Sequence, residues 1–425
     1  MNYINEKKLQ ILKDNKLAIE TAFILDKENR KATEEERTIL GKYSGYTCVS
    51  ALFPENFMVV SPYSPVVAFT SDFKRHEMEK EKSEDYLYLK SEALQILEET
   101  RGIIRKYSDS ISESKIYISY MDGNRYFSFT TPPELVQTMV DVFQENKITI
   151  NNFLDPSAGM GIYAQEFKKL AENSYKFVNL ESDPLTVKIA KHYLSEFELL
   201  FQPFETLDHE KMKFDVTAST IPFKEIAPYD EYLLTICDSN ESNLHSYFFE
   251  KGLASVKNGG IVAYICLSDL MDKPSLYDSR RILMENSNLI SAIRLPQNTF
   301  MGYEKYIYNF DLIILQKNIE KKELTDLEKS FVHQKDTTDL YLIENEYFKD
   351  SKNLIYTDVR TEFGINRTPI KILTHNGGIT GIASDVKKIL QRDFKLFNKD
   401  LYTMTQEDLQ KTHKEAPKKK KPRHS

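Results

Sequence analysis

The chain has 425 residues, with 57 Lys and Arg against 64 Asp and Glu, a formal net charge of −7 that speaks against a surface coated in nucleic-acid contacts. Hydrophobic residues at 41% and charged residues at 28% are ordinary for a globular protein of two or three domains, and the lack of any run of about eighteen apolar residues excludes a helical membrane span. The three cysteines (Cys48, Cys237, Cys266) are widely separated, the eight histidines show no ligand spacing, and the first residues form no apolar leader, so a reducing cytoplasm without structural metal is expected.

Residues 1–119 form a helical N-terminal region by pattern. Ile11, Leu12, Leu17, Ala18, Ile19 and Leu25 recur at helical spacing, as do Leu89, Ala93, Leu94 and Leu97 between Tyr86 and Ile104. From 120 to 318 strands and helices alternate, the mark of a mostly parallel sheet covered on both faces. Strands are predicted at 150–154, 176–181, 213–218, 260–266, 289–294 and 311–316, with Gly259-Gly260 as a turn before the fifth. The fold class expected is therefore doubly wound α/β.

Within that segment, Thr131-Pro132-Pro133-Glu134 reads as a capping box, with Thr131 as N-cap. Leu135, Val136, Met139, Val140 and Phe143 give its helix an apolar face. Leu154-Asp155-Pro156-Ser157-Ala158-Gly159-Met160-Gly161 follows an apolar run and precedes a second helical pattern, so it sits at a strand-to-helix turn. Gly159 and Gly161 let backbone approach a ligand closely. A dinucleotide fingerprint would have a third glycine where Ala164 stands. A turn opened by an acid and a proline suits a ligand with a cationic amino-acid portion better than a pyrophosphate. Phe177, Val178 and Leu180 then lead to Glu181, about 20 residues past Gly161, the spacing of an acid that accepts from ribose hydroxyls. Taken singly, Thr131 is a helix cap and Glu181 a solvated strand end; together they describe a nucleoside-binding sheet.

Later in the chain, Phe214 to Ser219 leads into Thr220-Ile221-Pro222-Phe223. Asn318 to Lys329 reads as a linker or exposed helix. Residues 319–425 form a C-terminal region containing Leu340-Tyr341-Leu342-Ile343 and a glycine-bearing stretch from Thr374 to Ile382. The tail from Lys418 to Arg423 carries five positive charges and reads as disordered, able to touch phosphates without reading sequence, or simply solvated.

The set Thr-Pro-Pro-Glu, Asp-Pro-Ser-Ala-Gly-Met-Gly and Glu-Ser-Asp-Pro resembles the adenine-N6 DNA methyltransferases. The likeness is greatest to the methylase region of the large DNA methylase–helicase proteins of phages and conjugative elements. It extends through Tyr43-Ser44-Gly45, Leu244 to Phe249, Gly259 to Ala263, Met271-Asp272-Lys273, Ala292 to Pro296, Phe300 and Asp311 to Lys317, colinear from about residue 17 to 318. The resemblance implies a Rossmann-like methyltransferase fold binding S-adenosylmethionine and DNA, here as a free-standing relative without the helicase. Asp155, Ser157, Gly159 and Gly161 would hold the amino-acid end of the cofactor and Thr131 its carboxylate region. Glu181 and Asp183 would face the ribose, and Glu205 the adenine amino group.

Thr220, Ile221, Pro222 and Phe223 would form the target-base site, with Phe223 stacking on an extruded base. One departure stands out: the family carries asparagine where this chain has Thr220. The adenine amino lone pair is delocalised into its ring. A side-chain amide oxygen and a backbone carbonyl accept its two protons and so localise the pair for attack. Ile221 retains the carbonyl, whereas Thr220 offers only a shorter hydroxyl. The expected function is DNA adenine-N6 methyl transfer, impaired by Thr220. The alternative is a degenerate fold that binds DNA or a partner, and methylation of another planar amide or amine is a weaker third.

Overall fold

The computed structural model describes residues 3–46, 84–123, 130–223, 244–300, 309–335, 344–363 and 369–403. Of the features singled out above, Cys48, Cys237, residues 340–343 and the basic tail lie outside them.

Two long helices, α1 (Tyr3–Glu28) and α3 (Glu84–Tyr107), pack on each other, with α2 (Glu34–Leu40) and α4 (Ile111–Gly123) beside them. Leu12, Ile19, Phe23, Leu89, Ala93 and Leu97 are all fully buried, so most of the helical periodicity marks a packed face, but Leu17 falls outside it and is exposed. This layer rests on Leu185 and Ile189 of α7 (Pro184–Tyr193).

Seven strands make the central sheet: β1 (Ile150–Asp155), β2 (Ala171–Glu181), β3 (Glu198–Phe201), β4 (Phe214–Thr220), β5 (Val256–Leu267), β6 (Ser287–Leu295) and β7 (Phe310–Lys317). Their order is β3-β2-β1-β4-β5-β7-β6, and only β7 runs antiparallel to its neighbours. Neighbouring residues on a strand face opposite sides. Phe153 enters a core shared with α5 (Pro133–Glu145) and α6 (Ile162–Phe167), while Leu154 enters one shared with α8 (Leu244–Ser255) and α9 (Tyr277–Asn286). The fold is doubly wound α/β, as expected.

Local departures from the expected pattern have physical causes. Strand β3 is four residues long and half-exposed or exposed throughout, too short to leave a period-2 signal. Gly259 and Gly260 lie within β5, which begins at Val256, so they are not a turn before it. Gly259 has φ +79°, and a Cβ there would sit 2.0 Å from the Leu401 carbonyl oxygen of α12 (Lys399–Thr403). Close backbone approach, with an irregular register against β4, requires the glycine. The charged stretch expected as a linker runs into α10 (Asp326–Val332), which is docked rather than free. Glu328 is buried, accepts from the Leu289 N–H at 3.1 Å and pairs with Lys321 at 2.6 Å. Farther on, β8 (Asp358–Phe363) and β9 (Pro369–Thr374) form a hairpin-like pair. Helix α11 (Gly378–Asp393) then places Ile382, Val386 and Leu390 in the core beside α5.

Candidate active site

Chain order reverses between β1 and β4, so their carboxyl ends open the crevice in which doubly wound sheets bind ligands. Asp155 ends β1 wholly buried. Its Oδ1 accepts from the Ser157 N–H at 3.1 Å and from the Ser219 hydroxyl at 2.7 Å, while Oδ2 has no hydrogen-bond partner among the described residues. Burial pushes this carboxyl up to about 7, against the opposing pull of those two hydrogen bonds. Ser219, on β4, was not marked in the sequence. It joins β4 to the turn after β1.

The turn itself is held by backbone. The Ala158 N–H donates to the Leu180 carbonyl at 2.9 Å, and the Gly159 N–H to Glu181 Oε2 at 2.8 Å. Gly159 (φ +53°) and Gly161 (φ +73°) are both left-handed, and Gly161 opens α6. A Cβ on Gly161 would strike Leu194, whereas one on Gly159 would meet no heavy atom within 4 Å. Gly159 thus borders open space. Glu181 Oε1 also accepts from the Ser182 and Asp183 N–H groups, both at 2.8 Å. Burial, and secondarily the charge of Asp183, pushes the Glu181 carboxyl up to about 7. Asp183 caps α7, accepting from the Leu185 and Thr186 N–H groups and from the Thr186 hydroxyl. Its oxygens therefore serve the helix, and Glu181 is the half-buried acid at the end of β2.

Thr131 departs from the expected capping box. Helix α5 starts at Pro133 with Pro132 at the cap position and no side-chain cap, because the Thr131 hydroxyl is engaged elsewhere. It lies 2.7 Å from Thr220 Oγ1, which is also 2.9 Å from the hydroxyl of Tyr163 on α6. Three hydroxyls, from the segment before α5, from α6 and from β4, thus meet at the end of β4. Tyr163 was missed because its helix reads as a plain apolar pattern. Beyond Thr220, Ile221 is buried, with its N–H donating to the Ile265 carbonyl at 2.9 Å, and Pro222 is half-buried.

Phe223 follows Pro222 and is buried. It is 5% exposed, and its ring packs against Phe300 and Phe310 at centroid distances of 5.5 and 4.9 Å. Aromatic packing holds the ring on this side. Glu205 is half-buried, and its carbonyl accepts from Lys251 Nζ at 2.6 Å. Among the described residues no hydrogen bond joins the Glu205 carboxylate to the glycine turn.

The residues fit a nucleoside-linked amino acid of net positive character. Open space over Gly159, a half-buried acid at the end of β2 and a buried carboxylate oxygen on Asp155 without a partner among the described residues lie at the carboxyl ends of β1 and β2. A seven-stranded sheet in the order 3-2-1-4-5-7-6 with one antiparallel strand is the class I S-adenosylmethionine-dependent methyltransferase fold, and this chain has it.

No protein-family model matches the chain, and no curated protein matches it. Among solved structures, it is similar to a Listeria monocytogenes protein assigned to the class I S-adenosylmethionine-dependent methyltransferases, with 16% identity and a TM-score of 0.41 over 77% of this chain and 91% of the other. It is also similar to a type I restriction-modification methyltransferase subunit from Streptococcus thermophilus, with 14% identity and a TM-score of 0.40 over 77% and 87%. A modification subunit assigned to a type I restriction enzyme of Vibrio vulnificus gives 13% identity and a TM-score of 0.39 over 88% and 92%. Among the described residues no helix is long and apolar enough to cross a membrane, and no group of three or more His, Cys, Asp or Glu is placed to hold a metal ion.

Proposed function

We propose that the protein is an S-adenosylmethionine-dependent methyltransferase that acts on the amino nitrogen of adenine in DNA, slowly for want of an asparagine at residue 220. The observation that carries this reading is the placing of Thr220 and Ile221 at the end of β4, across the switch point from the glycine turn. When bound, the cofactor supplies an electrophilic sulfonium methyl. Gly159 allows close backbone approach to its amino-acid end, with Ser157 beside it and Gly161 shaping the turn. Asp155, when ionised, adds negative potential at this end of the sheet, and Glu181 accepts from the ribose. A carboxylate has about four lone-pair sites, and three of those on Glu181 are taken by backbone N–H groups, so one remains. The Thr220 hydroxyl and the Ile221 carbonyl accept the two protons of the target amine. Phe223 supports this loop from inside the core. The basic tail adds phosphate contacts that strengthen attachment without choosing a sequence.

The test is transfer of a tritiated methyl group to unmethylated duplex DNA by the natural protein and by Thr220→Asn, with cofactor binding followed by calorimetry. Transfer by the natural protein should be slow, and the amide should raise it by up to about 10²–10³. Binding of the cofactor with no transfer by either form would refute the enzymatic reading and leave a binding module. No cofactor binding at millimolar concentration would refute the cofactor assignment.

A further inference from the structure

We infer that Tyr163 and Thr131 are positioning residues for Thr220: by holding its hydroxyl from two sides, they make it a fixed hydrogen-bond acceptor for a substrate N–H group. The identity of that group as an adenine amine rests on the reading just proposed; the fixing of the hydroxyl does not.

The argument starts from the hydrogen-bonding capacity of a hydroxyl, which is one proton and two lone pairs. Thr220 Oγ1 has two hydroxyl neighbours, Thr131 at 2.7 Å and Tyr163 at 2.9 Å. A phenol oxygen shares its lone pair with the ring, so it donates better than it accepts. Tyr163 is almost wholly buried, and burial pushes its phenol up, so it keeps its proton. The proton order that leaves Thr220 an acceptor is Tyr163 to Thr220 and Thr220 to Thr131. That order uses the Thr220 proton and one of its lone pairs. One lone pair remains, on a residue that is half-buried at the crevice while both partners are buried. Donation to Thr131 also makes the Thr220 oxygen a better acceptor.

Orientation is the second part of the argument. A threonine side chain rotates among staggered wells, and an acceptor that wanders cannot hold a nucleophile in line. Tyr163 is itself fixed: its ring stacks on Phe167 at 6.3 Å with a 30° interplanar angle, within the core that joins α5, α6 and β1. Thr131 is fixed by the start of α5 directly after it. The helix bearing Tyr163 opens at Gly161, so the glycine turn and the acceptor are set by one short element. The hydroxyl cluster therefore restores part of what the missing amide would contribute, namely direction, and it selects a substrate group that donates a hydrogen bond.

The experiment uses the full chain with ¹³C-labelled threonine methyl groups, Thr220 being assigned by its loss in Thr220→Val. Three-bond couplings to the Thr220 γ-methyl report its χ1 rotamer. The natural protein should show one staggered rotamer, and Tyr163→Phe, which keeps the ring and loses only the hydroxyl, should show averaging. Averaging already in the natural protein, or an unchanged single rotamer in Tyr163→Phe, would overturn the inference whatever the enzyme does. In the methyl-transfer assay, Tyr163→Phe should lower kcat about tenfold to a hundredfold with KM for DNA and cofactor affinity unchanged. In a Thr220→Asn background the same change should be nearly silent. An equal loss in both backgrounds would overturn the assignment of Tyr163 to Thr220. A locked rotamer lost in Tyr163→Phe, without methyl transfer by the natural protein or Thr220→Asn, would support the fixing and refute the methyl-transfer reading alone.

Discussion

Two glycines separated by one residue are expected to answer the same substitution differently, and the contrast tests where the ligand lies. Both occupy left-handed backbone, at φ +53° for Gly159 and +73° for Gly161, which costs an alanine about 1–2 kcal/mol. At Gly161 the added Cβ would also come within 2.4 Å and 2.8 Å of the two methyl carbons of Leu194. Leu194 is 1% exposed, so it cannot swing into solvent, and overpacking adds about 1–3 kcal/mol. Set against an offset of about 0.4–1 kcal/mol from reduced unfolded-state freedom, Gly161→Ala should therefore lose about 1–4.5 kcal/mol. Gly159→Ala meets nothing within 4 Å. Its backbone strain is partly offset by a loss of about 0.4–1 kcal/mol of unfolded-state freedom, leaving a net cost near 1 kcal/mol. Urea unfolding measures both values, and calorimetry with S-adenosylmethionine measures binding. Gly159→Ala should fold almost normally and bind at least about tenfold more weakly, because the methyl fills space the cofactor needs. Unchanged binding by Gly159→Ala would place the ligand elsewhere. A fully stable Gly161→Ala would refute the strain argument.

Asp155 should make the protein less stable as pH rises. Its carboxyl is held near 7 in the fold against an ordinary value of 3.8, so between those values the folded chain binds a proton that the unfolded chain has released. Stability then falls through that window and levels off above it, by about 2–3 kcal/mol between pH 5 and pH 8. Urea midpoints of the natural protein and Asp155→Asn at those two pH values decide it: the variant should lose most of this slope, Glu181 supplying a remainder, and an unchanged slope would refute the assignment. Arg294 should prove structural. Its guanidinium binds Asp272 at 2.8 and 3.1 Å and Asp311 at 2.7 and 3.0 Å, over the Phe348 ring. Arg294→Met strands the buried carboxylate of Asp311 and the partly buried one of Asp272 and should cost about 3–5 kcal/mol by urea unfolding, so a loss below about 1 kcal/mol would refute that account.

The parts of this molecule legible in its sequence are those whose physics is local. The apolar faces of α1, α3 and α5 recur every three or four residues, and each helix buries that face. The strand ends at Asp155, Glu181 and Thr220 could be placed because an apolar run stops there and a turn begins. Strand β3 left no trace, being short and poorly buried at the sheet edge. Gly259 and Gly260 read as a turn because only α12, more than a hundred residues later, explains why glycine is needed within a strand. The same limit governs the site. Thr131 has every local sign of a helix cap, and Phe223 follows a proline as a target-base aromatic would. What that local pattern does not carry are the contacts across the fold: Thr220 for the first, Phe300 and Phe310 for the second. A side chain can make its local bond or its distant one. The Thr131 hydroxyl could cap α5, but Pro132 and Pro133 leave that helix start without N–H groups to satisfy at its first positions. Little is lost when Thr131 turns away, whereas the buried hydroxyl of Tyr163 and the polar end of β4 need a partner. Thr220 thus sits in a cluster of three hydroxyls, and what its own hydroxyl can do depends on Tyr163 and Thr131 as much as on Thr220 itself.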